Sequence, residues 1–176
     1  HGLSKDGWKR YSSGGSWCYE ILYPGYKYNM TDIQAAIGIH QLEKLEQMQK
    51  RREEIAKSYD EAFADVPEIF IPRVKKYVRH AWHLYPIQIN TDLLRIDRAK
   101  FIDALAAENI GTSVHFIPIH LHPYYRDRYK FKRGNFPNAE HVYDREVSLP
   151  IYPKMADRDV KDVIAAVKKI IGYYRT

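Results

Sequence analysis

Apolar residues recur every three or four positions over residues 31–64, which is the pattern of an amphipathic helix. The predicted buried stripe consists of Ile33, Ile37, Leu45, Met48, Ile55, Tyr59 and Phe63. Thr31 and Gln34 have the spacing of a capping box, which predicts a helix start here. No strong helix breaker occurs before Pro67, so at about 1.5 Å per residue the helix would be on the order of 50 Å long. Such a helix is expected to bridge two bodies or to lie along a large partner.

Short runs rich in branched and aromatic residues follow, separated by helical patterns. The predicted strands are 82–90, 112–117 and 146–149, and the predicted helices are 97–108, 137–145 and 156–171. Residues 69–79 are predicted to be irregular, and residues 118–135 to form mainly a loop. Three short strands with helices on one side predict an α+β fold, a three-stranded antiparallel-type sheet packed by helices.

Composition narrows the choice of compartment and partner. The 28 Lys and Arg residues exceed the 22 Asp and Glu residues, for a net charge of +6. Because opposite charges alternate along the helix faces, a solvated mixed-charge surface is the simpler explanation of this excess. Cys18 is the single cysteine, which excludes an internal disulfide and fits a reducing compartment. No apolar run reaches the length of a membrane span, and a cytoplasmic location is expected.

The proline-broken segment after residue 114 holds the densest candidate chemistry. His115, His120 and His122 are followed by Tyr124 and Tyr125. The H-x4-H-x-H spacing matches no zinc pattern, so no metal site is predicted. Histidines in a loop at a strand end are well placed to contact a substrate.

Two further patterns concern a candidate ligand loop and candidate nucleophiles. Basic and aromatic residues interleave over 125–133, a composition that suits nucleic acid, a nucleotide diphosphate or simply a soluble loop. Ser113, Ser148 and Cys18 have no evident base partner, so nucleophilic catalysis has little support.

At residues 25–36, GYKYNMTDIQAA, the sequence resembles the DegT/StrS family of pyridoxal-phosphate sugar-nucleotide aminotransferases, which have fold type I. The resemblance extends along the chain. It includes HGLSKDGWKRY at 1–11, HAWHLYPI at 80–87, NIGTSVHFIPIHLHPYY at 109–125 and SLPIYPKM at 148–155.

The resemblance implies the small C-terminal domain of such an enzyme, preceded by one long bridging helix. The expected parts are a loop segment, 1–30, that completes the active site, the helix 31–66, and the α+β domain 67–176. The chain opens at His1 without an initiator Met, so it is expected to be a segment of a longer protein. The Schiff-base lysine would lie upstream with most of the pyridoxal 5'-phosphate site. No catalytic residue is therefore assigned, and the segment alone is expected to be inactive.

The implied activity is amino transfer from glutamate to a nucleotide-linked keto sugar in cell-surface polysaccharide or lipopolysaccharide sugar biosynthesis, by a homodimer. Family members often read G-x-N-x-R where this chain has residues 25–29, so Lys27 stands at the usual position of the phosphate-binding Asn. Lys27 and Asn29 are assigned to the cofactor phosphate of the neighbouring subunit. The residues assigned to sugar or nucleotide contacts are His115, His120, Tyr26 and Tyr124, with Arg126 and Arg128 near the diphosphate.

Three alternatives stay open at this point. Some relatives use the same scaffold for dehydration of a sugar nucleotide. A small basic α+β domain could bind nucleic acid, although its aromatic residues concentrate in loops rather than on strands. The segment could also be a dimerisation or regulatory fragment whose long helix is the interface. The preferred interpretation includes no nucleic-acid or membrane partner, and the GYKYN form favours amination at C4.

Overall fold

A computed structural model of the chain describes residue 2 and residues 20–176. The predicted aromatic, glycine-rich loop segment and Cys18 therefore fall largely outside the described residues. The chain divides into two compact units, His1–Lys44 and Leu45–Thr176. The domain boundaries expected from the sequence stay predictions.

The first unit contains helix α1, Asp32–Glu43. The Thr31 hydroxyl accepts a hydrogen bond from the Gln34 amide at 3.3 Å, and the Gln34 side-chain oxygen accepts one from the Thr31 amide at 3.0 Å. This reciprocal pair confirms the predicted capping box. Lys44 caps the C-terminus of this helix, and its amide donates to the Gln41 carbonyl at 3.2 Å.

The prediction of one uninterrupted helix with one buried stripe is wrong in two respects. Helix α2, Leu45–Phe63, begins anew after Lys44. The stripe is buried only from Ile55 onward, where Ile55, Tyr59 and Phe63 of α2 lie in the core. Ile33 and Ile37 of α1 are 74% and 58% exposed, and Leu45 at the start of α2 is 45% exposed. Periodicity identifies a face that can be buried, and it cannot say what covers that face.

Three antiparallel strands form the sheet of the second unit, in the order β1 (Ile69–Phe70), β2 (Tyr85–Ile89) and β3 (Glu146–Leu149). The predicted fold class is confirmed, but one strand was assigned to the wrong segment. Residues 112–117 make only an isolated bridge, Ser113 to Ser148. Strand β1 lies in the segment predicted to be irregular. The sequence pattern missed it because two residues are too few to show a period.

Helices complete the second unit. They are the 3-10 helices Thr91–Leu93 and Ile119–Leu121, and the α-helices α3 (Arg98–Ala107), α4 (Pro123–Tyr129), α5 (Pro137–Arg145) and α6 (Asp157–Tyr174). Helix α4 was predicted to be loop. It starts with Pro123 at its first turn, where the missing amide costs no hydrogen bond. Within the described ranges, no helix combines the length and apolarity that crossing a bilayer requires.

Alternation along β2 and β3 separates the core from the candidate site. Tyr85, Ile87 and Ile89 of β2 are fully buried against residues of α2, α3 and α6. In β3, Val147 and Leu149 belong to this core. Glu146 and Ser148 point to the opposite face, since successive strand residues alternate, and both are nevertheless buried.

Replacing Ile87, which is fully buried, by alanine is expected to destabilise the second unit by about 2–5 kcal/mol through lost burial and a residual cavity. The matched control is Ile119→Ala, which removes the same atoms from an exposed position and should change stability by less than about 0.5 kcal/mol. Urea unfolding followed by circular dichroism measures both. Equal destabilisation by the two variants would contradict this account of the core.

Candidate functional site

The first candidate cluster is built on the edge of β3 by the segment that contains His115. The Ser148 amide donates to the Ser113 carbonyl at 2.8 Å, and the Ser113 amide donates to the Ser148 carbonyl at 3.3 Å. This one bridge fixes the backbone two residues before His115. The imidazole is consequently held beside the polar face of β3.

Three side chains form a continuous hydrogen-bonded series there, which we call the Glu146–Ser148–His115 network. The Glu146 Oε2 atom accepts from the His115 amide at 2.9 Å, and Oε1 accepts from the Ser148 hydroxyl at 2.6 Å. The Ser148 Oγ atom lies 2.8 Å from His115 Nδ1. Glu146 and Ser148 are only 3% and 4% exposed, whereas His115 is half-buried. Within the described residues, Glu146 has no Lys or Arg partner.

The order of groups in this network determines what it can do. The prediction that Ser148 lacks a base partner is wrong, because the His115 ring contacts its hydroxyl. In a nucleophilic triad, however, the histidine lies between the hydroxyl and the carboxylate and accepts the hydroxyl proton. Here Ser148 lies between the two and donates to Glu146. His115 therefore accepts no proton from Ser148, and the arrangement instead orients the imidazole.

His120 belongs to a second cluster. It is 6% exposed, and its Nε2 atom lies 2.8 Å from Glu140 Oε1. The Glu140 carboxylate also accepts from the amides of Gly134, at 2.9 Å, and Phe136, at 3.3 Å. The Gly134 amide is the main cause that lowers the pKa of Glu140, and the His120 contact adds to it. Glu140 thus ties His120 to the turn at 134–136.

A continuous series of ring contacts leads outward from His120, and we call it the aromatic ladder. Neighbouring ring centroids are 4.7–6.4 Å apart along His120, Phe136, Phe131, Tyr129, Tyr125 and Tyr124. Such spacings are favourable for aromatic pairs. The outer rings, including Tyr124, are exposed and could stack on a ligand.

The charges around the aromatic ladder differ in availability. Arg133 makes two hydrogen bonds of 2.9 Å to Asp144, and Arg126 donates to Asp127 at 3.1 Å. Arg128 has no acidic partner within the part of the chain that the structure describes. Of the two arginines assigned to the diphosphate, Arg128 is therefore the one whose guanidinium is uncommitted.

The remaining predicted residues lie in the first unit, just before α1. The Tyr26 and Tyr28 rings stack at 5.5 Å with an interplanar angle of 24°. Lys27 and Asn29 are exposed, and neither has a hydrogen-bonding partner within residue 2 and residues 20–176. An ammonium group and a side-chain amide are a donor set that suits a phosphate group.

The predicted site residues thus fall into three groups. Tyr26, Lys27 and Asn29 follow one another in the first unit, while His120 and Tyr124 share the aromatic ladder and His115 has its own network. Sequence reasoning missed Glu146 and Glu140, which hold the two histidines. The alternation of β3 could have identified Glu146 and Ser148, because it places both on one face.

We expect Glu140→Gln to lower the hydrogen-exchange protection of the Gly134 amide, because a neutral acceptor binds it more weakly. The pKa of Glu140 is lowered in the folded state, so its stabilising contribution is present above the ordinary Glu pKa of about 4.3 and is lost as pH falls through the folded value. Protection of Gly134 in the unsubstituted chain should fall over that acidic range. The control is Glu61→Gln, whose exposed carboxylate lies 3.7 Å from Lys57 Nζ on the same helix face. Unchanged Gly134 protection in Glu140→Gln would contradict the assignment.

Two curated proteins are similar to the chain over almost its whole length. MJ1066 of Methanocaldococcus jannaschii is 65% identical over 175 residues, which cover 99% of this chain and 45% of that protein. The spore coat polysaccharide biosynthesis protein SpsC of Bacillus subtilis is 55% identical over 172 residues, or 97% of this chain and 44% of SpsC. The chain spans less than half the length of these relatives.

Two solved structures have a similar fold over almost the whole length of the chain. The PMP form of Spr1654 from Streptococcus pneumoniae matches with a TM-score of 0.78 and 33% identity, over 98% of this chain and 43% of that one. Helicobacter pylori PseC, an aminotransferase involved in the biosynthesis of pseudoaminic acid, matches with a TM-score of 0.77 and 25% identity, over 99% of this chain and 44% of PseC. The DegT/DnrJ/EryC1/StrS aminotransferase family model matches residues 1–168. The chain belongs to the DegT/DnrJ/EryC1/StrS aminotransferase family.

Proposed function

We propose that the chain is the C-terminal part of a pyridoxal-phosphate-dependent enzyme that transfers an amino group from glutamate to a nucleotide-linked keto sugar. The observation that carries this proposal is the family match along residues 1–168. The relatives support the same class. SpsC is named for polysaccharide biosynthesis and PseC is an aminotransferase, while Spr1654 has been solved in PLP and PMP forms.

Lys27 and Asn29 are the proposed cofactor contacts of this chain. In a homodimer, they would bind the phosphate of the cofactor held by the neighbouring subunit. Both side chains are exposed and uncommitted within the described residues, and both can donate hydrogen bonds to phosphate oxygens. Lys27 would add a full positive charge, which binds phosphate without a fixed geometry. When bound, the cofactor supplies the electron sink of the reaction, and these residues would fix its phosphate end.

The proposed sugar contact is His115, and Tyr26 and Tyr124 are proposed as further sugar or nucleotide contacts. His115 is half-buried and has one ring nitrogen engaged with Ser148, so the other nitrogen is available. His120 is buried against Glu140, and its proposed contribution is to hold the aromatic ladder in place for the ligand. Arg128, with Arg126 beside it, is proposed to bind the diphosphate through charge-assisted hydrogen bonds.

The nucleic-acid alternative has less support from the fold. Single-stranded RNA modules of this size present aromatic side chains on an exposed sheet surface. In this chain all four β3 residues are buried, and the β2 residues are buried or half-buried. The described strands expose one ring, Phe70 of β1, whereas several exposed rings cluster on α4 and its flanking turns, which suits a small ligand better than a strand of nucleic acid.

The direct test uses the full-length protein with pyridoxal phosphate, glutamate and a panel of nucleotide-linked 4-keto sugars. An amino sugar and 2-oxoglutarate, detected by mass spectrometry in equal amounts, are the expected products. Loss of a sugar hydroxyl without nitrogen incorporation would replace the proposal with the dehydratase alternative. In the same assay, Arg128→Ala should raise KM for the sugar nucleotide and leave KM for glutamate unchanged. An unchanged sugar-nucleotide KM would remove Arg128 from the site.

Lys27→Ala in the full-length protein is expected to weaken pyridoxal-phosphate binding by roughly tenfold to a hundredfold, since a hydrogen bond involving a charged group contributes about 1.5–3 kcal/mol. Lys27→Arg keeps the charge and should restore most of the affinity. Asn29→Ala should cost less, because it removes a hydrogen bond to the charged phosphate without removing a positive charge.

The matched control for this series is Lys50→Ala, which removes an exposed lysine with no ion pair in the described part of the chain. Cofactor affinity is measured by fluorescence titration of the apoprotein. A larger loss for Asn29→Ala than for Lys27→Ala would assign the phosphate to Asn29 instead.

A further inference from the structure

Glu146 and Ser148, which hold His115, determine which nitrogen of its imidazole ring carries the proton. We propose that Glu146 and Ser148 are positioning residues that hold neutral His115 as its Nδ1–H tautomer, so that the Nε2 lone pair faces a hydroxyl group of the substrate. The tautomer follows from the Glu146–Ser148–His115 network alone. The identity of the hydroxyl donor as a sugar rests on the proposed function.

The direction of the hydrogen bonds is fixed at the carboxylate end. Glu146 Oε2 accepts from the backbone amide of His115, which has no alternative role because an amide can only donate. Glu146 Oε1 lies 2.6 Å from Ser148 Oγ, a length typical of a hydroxyl that donates to an ionised carboxylate. The single proton of the Ser148 hydroxyl is therefore used by Glu146.

The ring tautomer follows from that first bond. With its proton committed, Ser148 Oγ can only accept, and it lies 2.8 Å from His115 Nδ1. A hydrogen bond at this contact requires the proton to be on Nδ1. The neutral ring then carries its lone pair on Nε2, which has no partner within the described residues. The hydrogen bond made by one ring nitrogen commonly fixes the role of the other in this way.

The consequence for binding is a preference for donors. A hydroxyl can donate to Nε2, whereas a carbonyl oxygen or an ether in the same place meets a lone pair. A ligand rich in hydroxyl groups, such as a sugar, is the chemical class that this presentation suits. The opposite direction, with a protonated Glu146 donating to Ser148 and Ser148 donating to Nδ1, would present an N–H and prefer acceptors.

The test measures the His115 tautomer in the full-length protein by NMR, with ¹⁵N-labelled histidine and His115→Gln to assign its signals. At a pH where the ring is neutral, the expected result is a protonated Nδ1 and an unprotonated Nε2. Ser148→Ala removes the acceptor and should shift the ring toward Nε2–H, the form that free histidine favours. Glu146→Gln should have the same effect. The side-chain oxygen of the introduced glutamine would still accept from the His115 amide, but its NH₂ group would donate to Ser148. The Ser148 hydroxyl would then donate to Nδ1, which leaves the proton of the neutral ring on Nε2.

The matched control is Ser113→Ala, since Ser113 is exposed and contacts Ser148 only through backbone atoms. It should leave the tautomer unchanged. An Nε2–H tautomer in the unsubstituted protein, or identical spectra for Ser148→Ala and Ser113→Ala, would overturn the proposal. Circular dichroism checks folding, and Glu146→Gln gives a second, isosteric variant if Ser148→Ala fails to fold.

A kinetic measurement separates this inference from the proposed function. Ser148→Ala should raise KM for the sugar nucleotide by about threefold to tenfold, as expected for one neutral hydrogen bond, and leave KM for glutamate unchanged. An altered tautomer with an unaltered sugar-nucleotide KM would overturn the assignment of Nε2 to the substrate. An Nδ1–H tautomer in a protein that transfers no amino group would support the positioning role and contradict the proposed function.

Discussion

Burial of the Glu146 carboxylate is the constraint on which the His115 site depends. A buried carboxylate is costly unless hydrogen-bond donors surround it, and no Lys or Arg among the described residues supplies a counter-charge. The donors come instead from Ser148 on the same strand and from the His115 amide. The His115 amide can reach Glu146 only if its segment runs beside β3, and the Ser113 bridge holds the segment there. One buried acid thus selects the path of the segment and the orientation of its imidazole.

Glu140 solves a related problem in the second cluster by the same means. Its oxygens accept from the amides of Gly134 and Phe136, and one of them also contacts His120. Gly134 has a φ of 91°, a conformation that glycine adopts without a steric penalty. In both clusters an acidic side chain accepts hydrogen bonds from backbone amides outside regular secondary structure and helps to hold a histidine in place. The two histidines differ in exposure, and this difference separates the proposed direct role of His115 from the proposed supporting role of His120.

Local signals predicted the regular elements well. The bounds of α5 and β3 agree with the predicted 137–145 and 146–149, because a proline opens the helix and another ends the strand. Signals that depend on distant residues failed. The bridge at Ser113 resembles a strand in composition but has one partner residue, and the apolar face of α1 lacks a cover within the described residues. Alternation could place Glu146 and Ser148 on one face of β3, but these side chains are 31 and 33 positions from His115, so no local spacing could pair them with it.

The order of the Glu146–Ser148–His115 network also bears on the kind of chemistry this segment can support. Ser148 is only 4% exposed, so its hydroxyl is out of reach of a substrate. The imidazole of His115, with its lone pair fixed as proposed, would orient a hydroxyl-bearing ligand without bonding to it covalently. That division of labour suits an enzyme whose bond-making chemistry is supplied by a cofactor and whose protein groups bind and orient.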